Sequence, residues 1–144
     1  MLLKSRFLQA FLIFSIFLFQ GYIHNARGAE VIELSYANVF PPTHIHSKLP
    51  EAWCKEVEKR TKGRVKITYY PGQTLLKEAK VYYGILNGIA EIGQSVFGYN
   101  RGVFPAMEAF ALPNGFKSGM QATLLVNEFY EKFKPKELSR VKIL

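Results

Sequence analysis

Apolar and polar positions along this chain change period several times, from alternation to helical spacing and back. Residues 31–40 (VIELSYANVF) mix alternation with aromatics and run into Pro41-Pro42, which predicts a strand entering a rigid loop. Between Ser47 and Thr61, Leu49, Trp53 and Val57 recur every four residues, predicting a helix that buries that face. Ser47 is the expected N-cap, Pro50 then falls in the first turn, and Gly63 stops the helix. Val65, Ile67 and Tyr69 alternate with Lys66, Thr68 and Tyr70, the clearest strand signal in the chain, ended by Pro71-Gly72.

A second helix is expected from about Thr74 to Asn87, burying Ala79, Tyr82, Tyr83 and Leu86 before Gly88. Residues 89–97 (IAEIGQSVF) predict a third strand, whose small residues allow close approach of backbone or ligand. Residues 98–116 lack a sustained period and are expected to be irregular, with one helical turn around 106–110. A third helix spans 117–133, with Ala122, Leu125, Val126, Phe129 and Phe133 on one face. Val141, Ile143 and Leu144 alternate with charges as an unfinished strand does, so a longer protein is expected. The element order predicts an α/β fold with a mostly parallel sheet flanked by helices.

The first residues alter this picture. Lys4 and Arg6 precede an apolar run from Phe7 to Phe19, followed by small residues at Ala26, Gly28 and Ala29. That is the layout of a secretory signal peptide over residues 1–28, since the run is short for a spanning helix. Cleavage takes Lys4, Arg6 and Arg27 from the +8 of the whole chain and no acid, leaving +5 on residues 29–144. The length remaining supports one modest core. Cys54 is the only cysteine, so an internal disulfide is excluded, and its place beside Trp53 predicts a small apolar core residue.

In a parallel sheet, ligands bind beyond the carboxyl ends of the strands, so the loops after the first and third strands are the places for chemistry. His44 and His46 are a possible metal half-site, but no third ligand stands at usual spacing, and no metal or other cofactor is expected. No glycine-rich phosphate loop opens a helix and no G-x-S-x-G occurs. Basic residues are interleaved with acids, as in residues 51–64 (EAWCKEVEKRTKGR), which is a solvated helix face and not a nucleic-acid footprint. Nothing in the sequence composes a nucleophile, base and orienter, so the expectation is a binding protein and not an enzyme.

Residues 40–72 (FPPTHIHSKLPEAWCKEVEKRTKGRVKITYYPG) resemble the opening of the solute receptors of tripartite ATP-independent periplasmic (TRAP) transporters, the DctP family. Further matching pieces are Asn87-Gly88 with Glu91-Ile92, then Phe104-Pro105, then Phe110-Ala111-Leu112-Pro113. The chain departs from the family pattern at Thr74-Leu75-Leu76 and at Asn114. The resemblance implies a periplasmic-binding-protein-like lobe, incomplete, from a monomeric two-lobed receptor that captures a small organic acid and hands it to membrane permease subunits. It places residues 29–144 in the first lobe. Asn38, Phe40, Thr43 and His44 after the first strand, with Gln94, Ser95, Val96 and Tyr99 after the third, would form one wall of the cleft. The arginine that clamps the carboxylate in this family lies beyond the position matching Leu144, and Arg101 is expected to be a loop surface residue. The chain alone is therefore expected to bind carboxylates no better than weakly. Rival readings are a lobe of an ABC-type binding protein, an effector lobe of a transcription regulator, an exported enzyme, or a truncated fragment without function.

Overall fold

The computed structural model describes residues 30–144; the expected signal peptide lies outside the described residues. Three strands form one parallel sheet in the order β2-β1-β3, where β1 is Ile32–Asn38, β2 is Val65–Tyr70 and β3 is Ile92–Gln94. Helix α1 (Ile45–Arg60) connects β1 to β2, and α2 (Val81–Leu86), entered through a 3₁₀ turn at Glu78–Lys80, precedes β3. Short turns then lead through α3 (Pro105–Glu108) to α4 (Gly119–Phe133). The expected α/β lobe with a parallel sheet and flanking helices is what forms.

Several local expectations are corrected. The N-cap of α1 is His44, whose Nδ1 accepts from the His46 N–H at 3.2 Å, so Ser47 lies inside the helix and Pro50 in its interior. The buried residues of α1 are Ser47 and Cys54, with Pro50 and Val57 half-buried between and beyond them. Leu49 and Trp53 stay 61% and 44% exposed, because small side chains and not the bulky ones face the sheet. Gly63 does end the first helical unit, with φ +77° and its N–H donating to Glu58 O at 2.9 Å.

The second helix is shorter than its pattern. Residues 71–77 continue a turn in which the Thr74 hydroxyl donates to Pro71 O, and Leu76 folds back over Gly84, leaving Ala79 and Tyr83 exposed. Strand β3 is also shorter than residues 89–97. Gly93 explains its small residues: a Cβ there would sit 2.6 Å from Val81 Cγ1, so the approach it permits is that of α2. Helix α4 is capped reciprocally, Ser118 Oγ accepting from Gln121 N and Gln121 Oε1 from Lys117 N. Its inward residues are Ala122, Val126, Phe129 and Tyr130, whereas Leu125 and Phe133 are exposed.

The irregular region folds around Phe104, Met107 and Leu138, against which Tyr82, Phe97, Val103, Val126, Phe129, Tyr130 and Val141 pack. Glu137 fastens the returning chain, its carboxylate accepting from the Ala106 and Met107 N–H groups at 3.3 and 3.0 Å. Residues 141–144 form no strand: Val141 spends its apolar side chain on this core instead. Among the described residues no helix is long and apolar enough to cross a membrane.

Candidate functional site

The site begins with register. Because β1 and β3 are parallel with Asn38 opposite Gln94, the loops leaving both strands emerge side by side. Val39 N donates to Gln94 O at 3.3 Å just past the pairing, and Tyr36 Oη donates to Gln94 Oε1 at 3.2 Å. The first loop is short because His44 starts α1 so soon, which brings Phe40, His44 and His46 together. Phe40 stacks on His44 with ring centroids 5.2 Å apart and planes at 15°, and His46 lies 5.1 Å from each of the two rings.

Asn38 anchors this cluster from below. It is 1% exposed, and its Nδ2 donates to His46 O at 2.9 Å, Ser47 Oγ at 3.1 Å and Tyr69 Oη at 2.5 Å. Its Oδ1 accepts from Phe40 N at 2.9 Å. The Asn38 side chain is thus committed inside the protein, with its amide turned to the loop backbone and not outward. Ser95, on the other loop, is tied by its hydroxyl to Glu78 O at 3.3 Å. Thr43, Val96 and Tyr99 are exposed on the same two loops, and among the described residues no hydrogen bond joins Thr43 or Tyr99 to the aromatic cluster.

Beside the cluster runs an open groove of about 370 Å³, lined by Tyr36, His46, Leu49, Pro50, Trp53, Gln94 and Leu144. Only Gln94 of these was anticipated. The signal for the others was present as His46, Leu49, Pro50 and Trp53, a stripe at helical spacing, but its apolar members imply burial when read alone. Tyr36 floors the groove, edge-on to Trp53 at 6.4 Å and to Tyr69 at 5.2 Å.

Burial pushes the Tyr36 phenol up to about 12, with Tyr69 and Cys54 adding to it. A phenol held neutral in the fold but ionising near pH 10 when unfolded contributes stability that is complete below about pH 10. That contribution is lost as pH rises through about 12. The expected loss is on the order of 2 kcal/mol. Urea melts between pH 9 and pH 11.5 check this: the slope of stability against pH should be shallower in Tyr36→Phe, and equal slopes would remove Tyr36 as the cause.

Cys54 is buried, and its thiol is pushed up first by burial and then by Glu51, against a lowering backbone hydrogen bond. That favours the unreactive thiol. Among the described residues no three metal-ligating side chains converge.

Comparison with known proteins places this geometry. The family model of bacterial extracellular solute-binding protein family 7, DctP, matches residues 36–141. A TRAP periplasmic solute-binding protein of Desulfovibrio salexigens, an open complex with the C-terminus of a symmetry mate in its ligand-binding site, is 43% identical with a TM-score of 0.71. This chain has 78% of its length in that match and covers 35% of the other chain. A marine metagenome TRAP protein specific for aromatic acid ligands, in complex with metahydroxyphenylacetate, is 28% identical with a TM-score of 0.70, over 78% of this chain and 36% of that one. A Rhodoferax ferrireducens TRAP protein with copurified benzoate shares the fold at 22% identity and a TM-score of 0.72, over 79% of this chain and 36% of that one. The chain therefore spans about a third of the length of the structures it matches. It belongs to family 7 of the bacterial extracellular solute-binding proteins, the DctP family.

Proposed function

We propose that residues 30–144 supply one wall of the cleft of a periplasmic receptor that binds a small organic acid and delivers it to the membrane subunits of a TRAP transporter. The observation that carries this reading is the juxtaposition of the two strand-end loops by the β1–β3 register. It sets Phe40, His44 and His46 next to Gln94, Ser95, Val96 and Tyr99 beyond the carboxyl ends of parallel strands. In this reading the half-buried Phe40 and the aromatic groove give apolar walls, while Thr43, His44, Gln94 and Ser95 offer hydrogen bonds to substrate oxygens. Asn38 holds the wall in shape. The wall contains no lysine or arginine, so a carboxylate would find its charged partner in the two-thirds of receptor length that this chain does not span. A binding role, with no chemistry done on the solute, fits the absence of a nucleophile and base in hydrogen-bonding reach of each other.

Two calorimetric titrations test this. The full chain should bind 3-hydroxybenzoate, metahydroxyphenylacetate and succinate only weakly, with Kd above about 1 mM. A chimera carrying residues 36–141 in place of the matching part of the Desulfovibrio salexigens receptor should bind at least one carboxylate at micromolar Kd. His44→Ala with Gln94→Ala should then weaken that binding at least about tenfold, or about 1.4 kcal/mol. A folded chimera whose affinity ignores both substitutions would take these residues out of the site.

A further inference from the structure

A proline inside a helix normally costs it a hydrogen bond and leaves the carbonyl four residues back without a donor. In α1 that carbonyl belongs to His46, and it is not left empty: Asn38 Nδ2 donates to it from the end of β1 at 2.9 Å. The same Asn38 nitrogen reaches Ser47 Oγ and Tyr69 Oη, while Ser47 Oγ donates to Phe40 O at 2.8 Å and Tyr69 Oη donates to Ser47 O at 3.0 Å. Phe40 is consequently gripped at both backbone groups by side chains, its N–H by Asn38 and its carbonyl by Ser47, with Gly72 N as a second donor at 2.8 Å.

We infer that Pro50, Ser47 and Tyr69 are positioning residues which, through Asn38, fix the Phe40–His44–His46 cluster, Pro50 acting by the hydrogen bond it cannot make. With an ordinary residue at position 50 the new N–H would reclaim His46 O, and Asn38 would lose the acceptor that orients its amide. The latch joins β1, β2 and the first turns of α1 through one buried side chain. Such a network, with every member satisfied, specifies a single loop geometry. A binding loop fixed before the ligand arrives loses less entropy on binding. That the cluster faces a ligand rests on the solute-receptor reading; the latch itself does not.

The test is made without ligand, so that failure of the latch and failure of the receptor reading are separable. In the isotopically labelled full chain, Pro50→Ala should move the ring proton resonances of His44 and His46, which the stacked Phe40 ring shields. It should also speed hydrogen exchange at the Phe40 amide at least about tenfold. Because alanine favours helix, a purely structural proline predicts the opposite: a chain as stable or more stable, with those signals unmoved. Tyr69→Phe should shift the same resonances, and Ser47→Thr, which keeps the hydroxyl, should hold them near their native positions while Ser47→Ala does not. Unchanged histidine resonances and Phe40 exchange within twofold of native in both Pro50→Ala and Tyr69→Phe would overturn the inference.

Discussion

Phe104→Ala lowers the unfolding free energy by about 4 kcal/mol in urea melts followed by circular dichroism. Phe104 is 3% exposed, and its ring meets Tyr82 edge-on at 4.7 Å and Phe97 at 5.1 Å. Around it gather α2 through Tyr82, the turn after β3 through Phe97, α4 through Val126 and Phe129, and the last residues through Leu138 and Val141. Truncation removes transfer free energy, two aromatic pairs and the contacts of every neighbour that cannot collapse into the space. The loss is large beside a total of about 5–15 kcal/mol for a domain, so the melt should also lose its sharp baseline. Phe133→Ala is the control: the residue is 60% exposed and should cost under about 1 kcal/mol. Equal losses at the two sites would mean that the Phe104 cluster is not the core.

Legibility in the sequence followed the physics of each signal. Period-two alternation marked β2 correctly because Val65, Ile67 and Tyr69 turn to one face and Lys66 and Thr68 to the other. The helix stops were legible as well, since Gly63 takes a left-handed conformation that other residues adopt at a cost. Burial on α1 was not legible. Apolar spacing shows that a stripe exists, but a parallel sheet approached closely by a helix takes small side chains, and Ser47 and Cys54 won the inward face over Leu49 and Trp53. Alternation at residues 141–144 misled for a related reason: a strand needs a free edge to pair with, and Val141 found an apolar cluster first. The loops of the candidate site followed from strand order, whereas the polar latch beneath them depends on which carbonyl Pro50 leaves without a donor. Sequence reasoning that places Pro50 in the first turn cannot reach it.

Asn38→Ala should cost about 3 kcal/mol, the second large effect, although it removes no apolar bulk. The side chain is 1% exposed, and deleting it strips the only recorded donor to His46 O from a carbonyl that Pro50 cannot serve, and leaves Phe40 N without its acceptor. Ser47 and Tyr69 keep one partner each, so the penalty falls chiefly on those two backbone groups. Asn38→Asp separates this account from simple loss of volume. The oxygen that accepts from Phe40 N is retained, but at neutral pH the second carboxylate oxygen faces the His46 carbonyl in place of a donor. Its protonated form is favoured in the fold, so the native-state carboxyl lies above its unfolded value. Stability is then greatest below the unfolded carboxyl range, near pH 4, and is lost as pH rises through the native value. Urea melts of Asn38→Asp from pH 4 to 8 should show stability falling relative to the native chain, whereas Asn38→Ala should track it at a constant offset. An Asn38→Ala loss below about 1 kcal/mol, or an Asn38→Asp difference flat in pH, would mean the loop is held by Ser47, Gly72 and the aromatic stack alone.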